Sequence, residues 1–349
     1  MPALFENNQK GKREDLADYI TLVDAKDTPV TSMIPKGNKP GNTLLQFQAD
    51  NMPAAVITGT LDGSDVTVGG SGGLGYANLN DGRAILTNHV QVFQRAIRVS
   101  PLAVDVSIVA GLRDELSGMV AKGIKLLKRD MEAAICSDNQ AVIDNGTNPY
   151  QTKALGRWIN NESQTGLVDP IPSGEVSGPD YRTPAASINT TATASFAETD
   201  AQGVLTSIYN QTGQMKVFDT VVGPTLKRAF SNLLYTATQL ATPTANTFAS
   251  VRTLNRDAFS DTISSSVDLF EGDFGSLRLH PTLFNGVGGA NGAFRGYVLD
   301  MDLLELRYTN LPQVTELPDA GGGPARLIKA VAGLVCKNPL GLGKFAASS

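Results

Sequence analysis

The spacing of apolar and polar residues changes several times along the chain, and each change marks an element. In NTLLQFQAD, Leu45, Phe47 and Ala49 alternate with Gln46 and Gln48, the period-two pattern of a half-buried strand. HVQVFQRAIRVS carries Val90 and Val92, then Ile97 and Val99 in the opposite parity, a switch around Phe93 that predicts a β-bulge. Between these strands lies LDGSDVTVGGSGGLGYANLNDG, rich in glycine and aspartate, so residues 42–100 read as a hairpin-like excursion with a solvent-facing tip. From 105 to 137 the period becomes helical. Ile108, Leu112, Leu116, Met119, Ile124, Leu127, Met131 and Ile135 form one stripe. Roughly thirty residues at ~1.5 Å each predict a rod about 45 Å long. Gly111, Gly118 and Gly123 each cost about 1 kcal/mol relative to alanine, so this spine needs tertiary support.

Ahead of the excursion, Leu16, Tyr19, Ile20 and Val23 have helical spacing over a short span. DTPVTSMIPKGNKPG follows, and its prolines at 29, 35 and 40 predict an extended arm that must lie on something else. Beyond the spine, Trp158 anchors the apolar piece ALGRWI, and residues 166–195 read as loop. Ser195 and Glu198 suggest a capping box opening a helix with Val204, Leu205, Ile208 and Tyr209 on its apolar face, ended by Gly213. KVFDTVV reads as a buried strand, and Gly223-Pro224 opens a helix with Leu226, Phe230, Leu233 and Leu234 inside. In FEGDFGSLRLHP, Asp273-Phe274-Gly275 predicts a turn into a strand with Leu277 and Leu279 on one side, and Ser276, Arg278 and His280 on the other. YVLDMDLLELRYT predicts another strand. RLIKAVAGLVC is apolar on both parities and predicts one covered on both faces. The fold class is α+β.

Charge removes some functions from consideration. The chain of 349 residues has net charge −5 and only 18% charged residues, which argues against a basic nucleic-acid reader. Its longest basic cluster, Lys125 to Arg129, is interrupted by Leu126 and Leu127 and reads as the solvated side of a helix. Two cysteines, Cys136 and Cys336, cannot make a disulfide framework and sit in apolar segments as small buried residues. No apolar run approaches the ~20 residues of a membrane span, and MPALFENNQKGKRE lacks a signal-peptide core. The expected setting is a reducing cytoplasm without a membrane partner.

Three strings invite a kinase reading: Gly70-Ser71-Gly72-Gly73-Leu74-Gly75, Arg129-Asp130 and Asp273-Phe274-Gly275. The glycines lead into Tyr76-Ala77 with no lysine before Lys122, and Arg129-Asp130 falls inside the spine helix. No amphipathic helix follows the glycines, which excludes a dinucleotide fingerprint as well. His89 and His280 each sit on the polar side of a predicted strand, outside any metal-ligand spacing. The acid pairs Asp300/Asp302 and Asp114/Glu115 carry no further signal of acid-base or cation chemistry. No catalytic, cofactor-binding or metal-binding residue is assigned, no cofactor is expected, and the chain reads as a non-enzyme.

The order of parts is the stronger clue. Arg13 to Gly37 (REDLADYITLVDAKDTPVTSMIPKG), Lys125 to Val142 (KLLKRDMEAAICSDNQAV), ALGRWI and FEGDFGSLRLHPTLF resemble segments of the major capsid proteins of tailed bacteriophages, the Hong Kong 97-like family. The resemblance implies an N-terminal arm at 1–41, an extended loop (E-loop) at 42–100 and a P-domain with the spine helix at 101–160. It also implies an A-domain with connecting loops at 161–310 and a return to the P-domain at 311–349. The implied function is a shell of homo-hexamers and homo-pentamers enclosing double-stranded DNA without sequence-specific binding, assembled in the host bacterial cytoplasm and carried in the virion. Scaffolding, portal-vertex and decoration proteins are the further partners it leaves room for. The resemblance begins at about Arg13, which implies no N-terminal scaffold domain removed on maturation. Arm and loop are expected to clamp neighbouring subunits. An encapsulin-like cage around a cargo protein is the alternative of the same fold.

Overall fold

The computed structural model describes residues 28–50, positions 52, 55, 57, 59, 62 and 63, residues 83–106, 114–161, 181–233, 267–285, 292–319 and 321–346, and the backbone of 236–241 and 248–253. Strands β1 (Leu44–Ala49) and β2 (Ala84–His89) pair antiparallel from Leu44↔His89 to Ala49↔Ala84 and form the base of the excursion. β3 (Gln91–Arg98) follows almost without a break, yet it belongs to a different sheet, on the edge of β11 (Leu304–Leu317) and β12 (Ala325–Cys336) in the order β11-β12-β3. Its register with β12 runs unbroken from Arg98↔Ala325 to Gln91↔Ala332. The expected bulge at Phe93 is therefore absent. The parity switches because the chain leaves one sheet for another at Val90, whose amide donates to the Thr43 carbonyl at 3.1 Å. Phe93 and Val99 turn inward, while Val92 faces out and is 44% exposed.

The spine is shorter than its pattern. After α2 (Pro101–Val106), helix α3 runs Glu115–Ile135, 21 residues or about 31 Å. Asp114 is extended (φ −146°, ψ 113°), and its carboxylate accepts the Leu116 amide at 3.0 Å, so it caps a new helix rather than continuing one from 105. Ile108, Gly111 and Leu112 lie outside the described residues. Leu127, Met131 and Ile135 are buried, and Gly123 lets the helix approach the sheet: a Cβ there would lie 2.5 Å from Ile328 Cδ1. β12 is the middle strand and is covered on both faces over its second half, by α3 on one side and by Leu45 and Val90 on the other. The large core around this junction gathers Leu86, Leu127, Ile135, Leu155, Trp158, Tyr297 and Leu334. Trp158 closes α4 (Leu155–Trp158).

A second body is built on a six-stranded mixed sheet, order β4-β13-β10-β5-β9-β8. It comprises β4 (Ile188–Asn189), β5 (Val217–Val222), β8 (Leu269–Gly272), β9 (Gly275–Pro281), β10 (Arg295–Leu299) and β13 (Gly343–Ala346). Helices α5 (Glu198–Thr212) and α6 (Pro224–Asn232) cover one face over Phe218, Val222, Leu277, Val298 and Phe345. β5 holds the centre, antiparallel to β10 and parallel to β9, as the apolar run KVFDTVV demands. Pro224 opens α6 as expected, with Leu226 and Phe230 buried; Leu234 falls outside the described side chains. β6 (Thr236–Ala241) and β7 (Phe248–Thr253) form a separate antiparallel pair.

Three local readings change. Asp200, not Glu198, closes the cap of α5: its carboxylate accepts the Ala197 amide at 2.8 Å, while Ser195 ends a preceding 3-10 turn. YVLDMDLLELRYT is not one strand but β10 and β11, separated by a 3-10 turn at Met301–Leu303 that Asp300 caps by accepting the Asp302 amide. The polar stretch before α5 is anchored from Tyr181 onward, which is fully buried, and β4 pairs parallel with β13. Gly213, at φ 65°, ends α5 in the left-handed region as expected.

Candidate functional site

Asp273-Phe274-Gly275 serves a hairpin. Asp273 and Phe274 join β8 to β9, and Gly275, at φ 141°, sits where a Cβ would meet the Lys216 carbonyl oxygen at 2.7 Å. Phe274 stacks on Tyr209 at 4.9 Å. Asp130 is held by Arg95 through two bonds of 2.6 and 2.7 Å. Gly70 to Gly75 lie outside the described residues. Asp300 and Asp302 hold Lys216 at 2.8 and 3.1 Å. His280 meets Asp219 at 2.9 Å on β5 and β9. His89 is buried, contrary to its expected polar face, and burial lowers its pKa. Cys136 and Cys336 are buried free thiols, and burial pushes Cys336 up to about 12. Among the described residues no three His, Cys, Asp or Glu side chains are grouped to hold a metal ion, and no helix is long and apolar enough to cross a membrane.

What the structure organises is the attachment of two extensions. The first is the arm. Residues Pro29–Met33 form a short helix, α1, where an extended segment was expected. Proline fits at its start because the missing N–H would have no helical partner there. Glu132 supplies the rest from within α3: its carboxylate oxygens accept the amides of Val30 and Thr31, both at 2.8 Å. Glu132 is fully buried, and desolvation raises its pKa against the opposing pull of these bonds. Val30 and Ile34 are buried beside it, and the strand-like bridge Lys36↔Leu306 carries the chain along β11. This part of the arm thus lies on its own subunit.

The second extension is the excursion, and Asn88 fastens its base. Its side-chain oxygen accepts the amides of His89 at 2.8 Å and Lys153 at 2.7 Å. Its nitrogen donates to Thr152 Oγ1 at 3.1 Å and to the carbonyls of Lys153 and Leu334. Leu45, Ala49, Ala84 and Leu86 are buried, Phe47 lies 5.9 Å from the Trp158 ring, and Lys153 Nζ stands 4.1 Å over that ring. The base is therefore covered within the subunit, where the sequence pattern suggested cover from a neighbour. Farther out the picture reverses: Met52 is 90% and Ile57 97% exposed. Sequence reasoning missed Glu132 and Asn88. The available signal was a polar residue inside an apolar pattern, Glu132 next to Met131 and Asn88 in AILTNHV.

The family model described as SU10 major capsid protein matches residues 4–348. A curated relative, the major capsid protein of Escherichia phage Phieco32, is 29% identical over 158 residues, which is 44% of this chain and 41% of that protein. The matched stretch is thus less than half of the relative's length. Among solved structures, the chain is similar to the capsid of cyanophage A-1(L), with TM-score 0.58 at 11% identity over 98% of this chain and 99% of that one. It is also similar to the capsid of cyanophage Pam1, with TM-score 0.55 at 12% identity over 98% of both chains. At these identities the likeness shows the fold, which is the Hong Kong 97-like capsid fold.

Proposed function

Because the chain belongs to the SU10 major capsid protein family, we propose that it builds the icosahedral shell of a tailed bacteriophage from homo-hexamers and homo-pentamers. The observation that carries this reading is the family match across residues 4–348. The surfaces described above support it. An excursion rigidly fastened at its base but apolar and uncovered at Met52 and Ile57 suits a clamp that settles on a neighbouring subunit. Burying two such side chains contributes about 3–6 kcal/mol per subunit, at about 1.5–3 kcal/mol each. Among the described residues Asp130, Asp219, Asp300, Asp302 and His280 are engaged in ion pairs and Asp114 and Asp200 in helix caps, in keeping with a subunit that acts as building material.

The shell encloses double-stranded DNA without sequence-specific contacts, in keeping with a net charge of −5. It is assembled in the host bacterial cytoplasm and meets scaffolding, portal-vertex and decoration proteins there. Electron microscopy of the purified protein, with measurement of nucleic-acid content in particles from infected cells, tests this. Closed icosahedral shells containing DNA are expected. A monodisperse monomer under all assembly conditions overturns the reading, and shells filled with a cargo protein instead of DNA replace it with a cage.

A further inference from the structure

The solvated side of α3 carries a charge that nothing nearby answers. Lys122, Lys125 and Lys128 are exposed at intervals of three residues, so their ammonium groups are strung along about 9 Å of helix. Arg129 follows, its guanidinium 5.5 Å from the Phe284 ring. The carboxylates of α3 are engaged or distant. Glu115 lies two turns before Lys122, Asp130 is held by Arg95 at 2.6 and 2.7 Å, and Glu132 is buried under α1. Lys36 extends the charge onto the arm. It lines one cleft with Lys128, between α1, α3 and β11, whose other polar lining is Thr28, Thr31, Ser32 and Tyr308. Lys36, Lys122, Lys125 and Lys128 have no ion-pair partner among the described residues, and Lys36 lies 5.9 Å over the Tyr308 ring. In a chain of net charge −5 this excess is local.

A protein surface is the poorer partner for such a face. Lysine is depleted at protein interfaces, and an ammonium taken out of water without a carboxylate is costly. Duplex DNA is the better one. It carries one charge per about 1.7 Å of axis, so ~9 Å of helix faces about five phosphates. An ammonium on a flexible stem meets a phosphate as a point charge and needs no fixed register. We propose that Lys122, Lys125 and Lys128, with Lys36 beside them, rest on the phosphates of the enclosed duplex, so that α3 turns this side to the inside of the shell. The inference rests on the capsid reading and adds to it a contact surface and an orientation of the subunit. No sequence is read there, because phosphates carry none. Each contact is weak and yields to salt, and its repetition over the shell counters the repulsion between packed duplex and an acidic wall.

The test has two arms. The first measures binding of a short fluorescent DNA duplex by the full-length, unassembled subunit over a series of salt concentrations. Each phosphate neutralised contributes about −0.9 to the slope of log K against log salt. Lys122→Gln, Lys125→Gln and Lys128→Gln together should make that slope shallower by roughly 2–3. Arg228→Gln with Lys329→Gln removes cations that also lack ion-pair partners but lie elsewhere, on α6 and β12, and should leave the slope nearly unchanged. An unchanged slope in the triple variant, or an equal loss in the control, overturns the proposal. The second arm acetylates lysines with a small reagent in shells with and without DNA, and peptide mass spectrometry reads the sites. Protection of Lys122, Lys125 and Lys128 in filled shells alone is expected. Protection in neither kind overturns the proposal, as does protection in both, which means that a neighbouring protein covers the face. Absence of any shell is the failure of the capsid reading, and the slopes then still support or overturn the duplex contact on their own.

Discussion

Replacing Asn88 with alanine should loosen the excursion from the body at a cost that the hydrogen bonds allow us to estimate. The side chain is fully buried and satisfies the amides of His89 and Lys153, the carbonyls of Lys153 and Leu334, and Thr152 Oγ1. Thr152 Oγ1 keeps another partner, the Leu334 amide at 3.2 Å. Carbonyls tolerate partial satisfaction better than amides do. The loss is therefore set by two orphaned N–H groups at about 1–3 kcal/mol each, or about 2–6 kcal/mol together. Against a typical total of about 5–15 kcal/mol this is a large fraction. The single tryptophan, Trp158, is fully buried beside Lys153 and Phe47, so its fluorescence during urea unfolding of the unassembled subunit reports on this joint. The midpoint should fall with little change in slope. Asn88→Asp keeps both acceptors but turns a carboxylate toward two carbonyls, and should be at least as damaging. A loss below about 1 kcal/mol for Asn88→Ala would refute the reasoning, since it would mean that water replaces the side chain without cost.

Ile57→Asp should change subunit stability by no more than about 0.5 kcal/mol, because the residue is 97% exposed, while lowering the yield of shells seen by light scattering and electron microscopy. An equal loss in subunit stability would show that Ile57 belongs to the subunit's own core. Glu132 gives a pH test. Its folded pKa is raised by burial, so the stability it contributes is complete below the ordinary glutamate value of about 4.3 and is lost as pH rises through the raised value. Glu132→Gln should flatten that decline in urea midpoints, and an unchanged slope would assign the decline to other groups. Gly123→Ala gains about 1 kcal/mol of helix propensity but crowds Ile328, a cost of about 1–3 kcal/mol. Combined with Ile328→Val, which removes the crowded methyl, it should cost less than alone, and a double-mutant cycle measures the difference.

The elements legible in the sequence are those decided by local pattern: β1, β5, β9 and α6 appear where alternation and turn chemistry put them. Elements that depend on distant partners were not legible. Pro29 to Met33 becomes helical because Glu132, about a hundred residues away, accepts its first amides. Val90 ends one strand and begins another because two sheets meet there, and a change of sheet leaves the same parity signature as a bulge. Asp114 interrupts an otherwise continuous apolar stripe, which periodicity alone passes over. The entry of Asp273-Phe274-Gly275 into a strand could be argued from the alternation that follows it. The places where arm and excursion attach could not, because each rests on one buried polar residue that a core pattern treats as noise.

Strand β10 alternates between the two bodies: Tyr297 and Leu299 belong to the core around the spine, Val298 to the core under α5 and α6. Neighbouring β5 does the same, with Val221 on one side and Val222 on the other. The two bodies share a wall, in contrast to domains joined by a linker. Neither can melt without stripping one face of that wall, so heating the subunit should give one cooperative transition for both, with a calorimetric enthalpy equal to the van't Hoff value. A fastening lost on the spine side is then felt on the far side of the sheet as well, and a subunit strained at its arm or excursion yields as a whole instead of shedding its parts in turn.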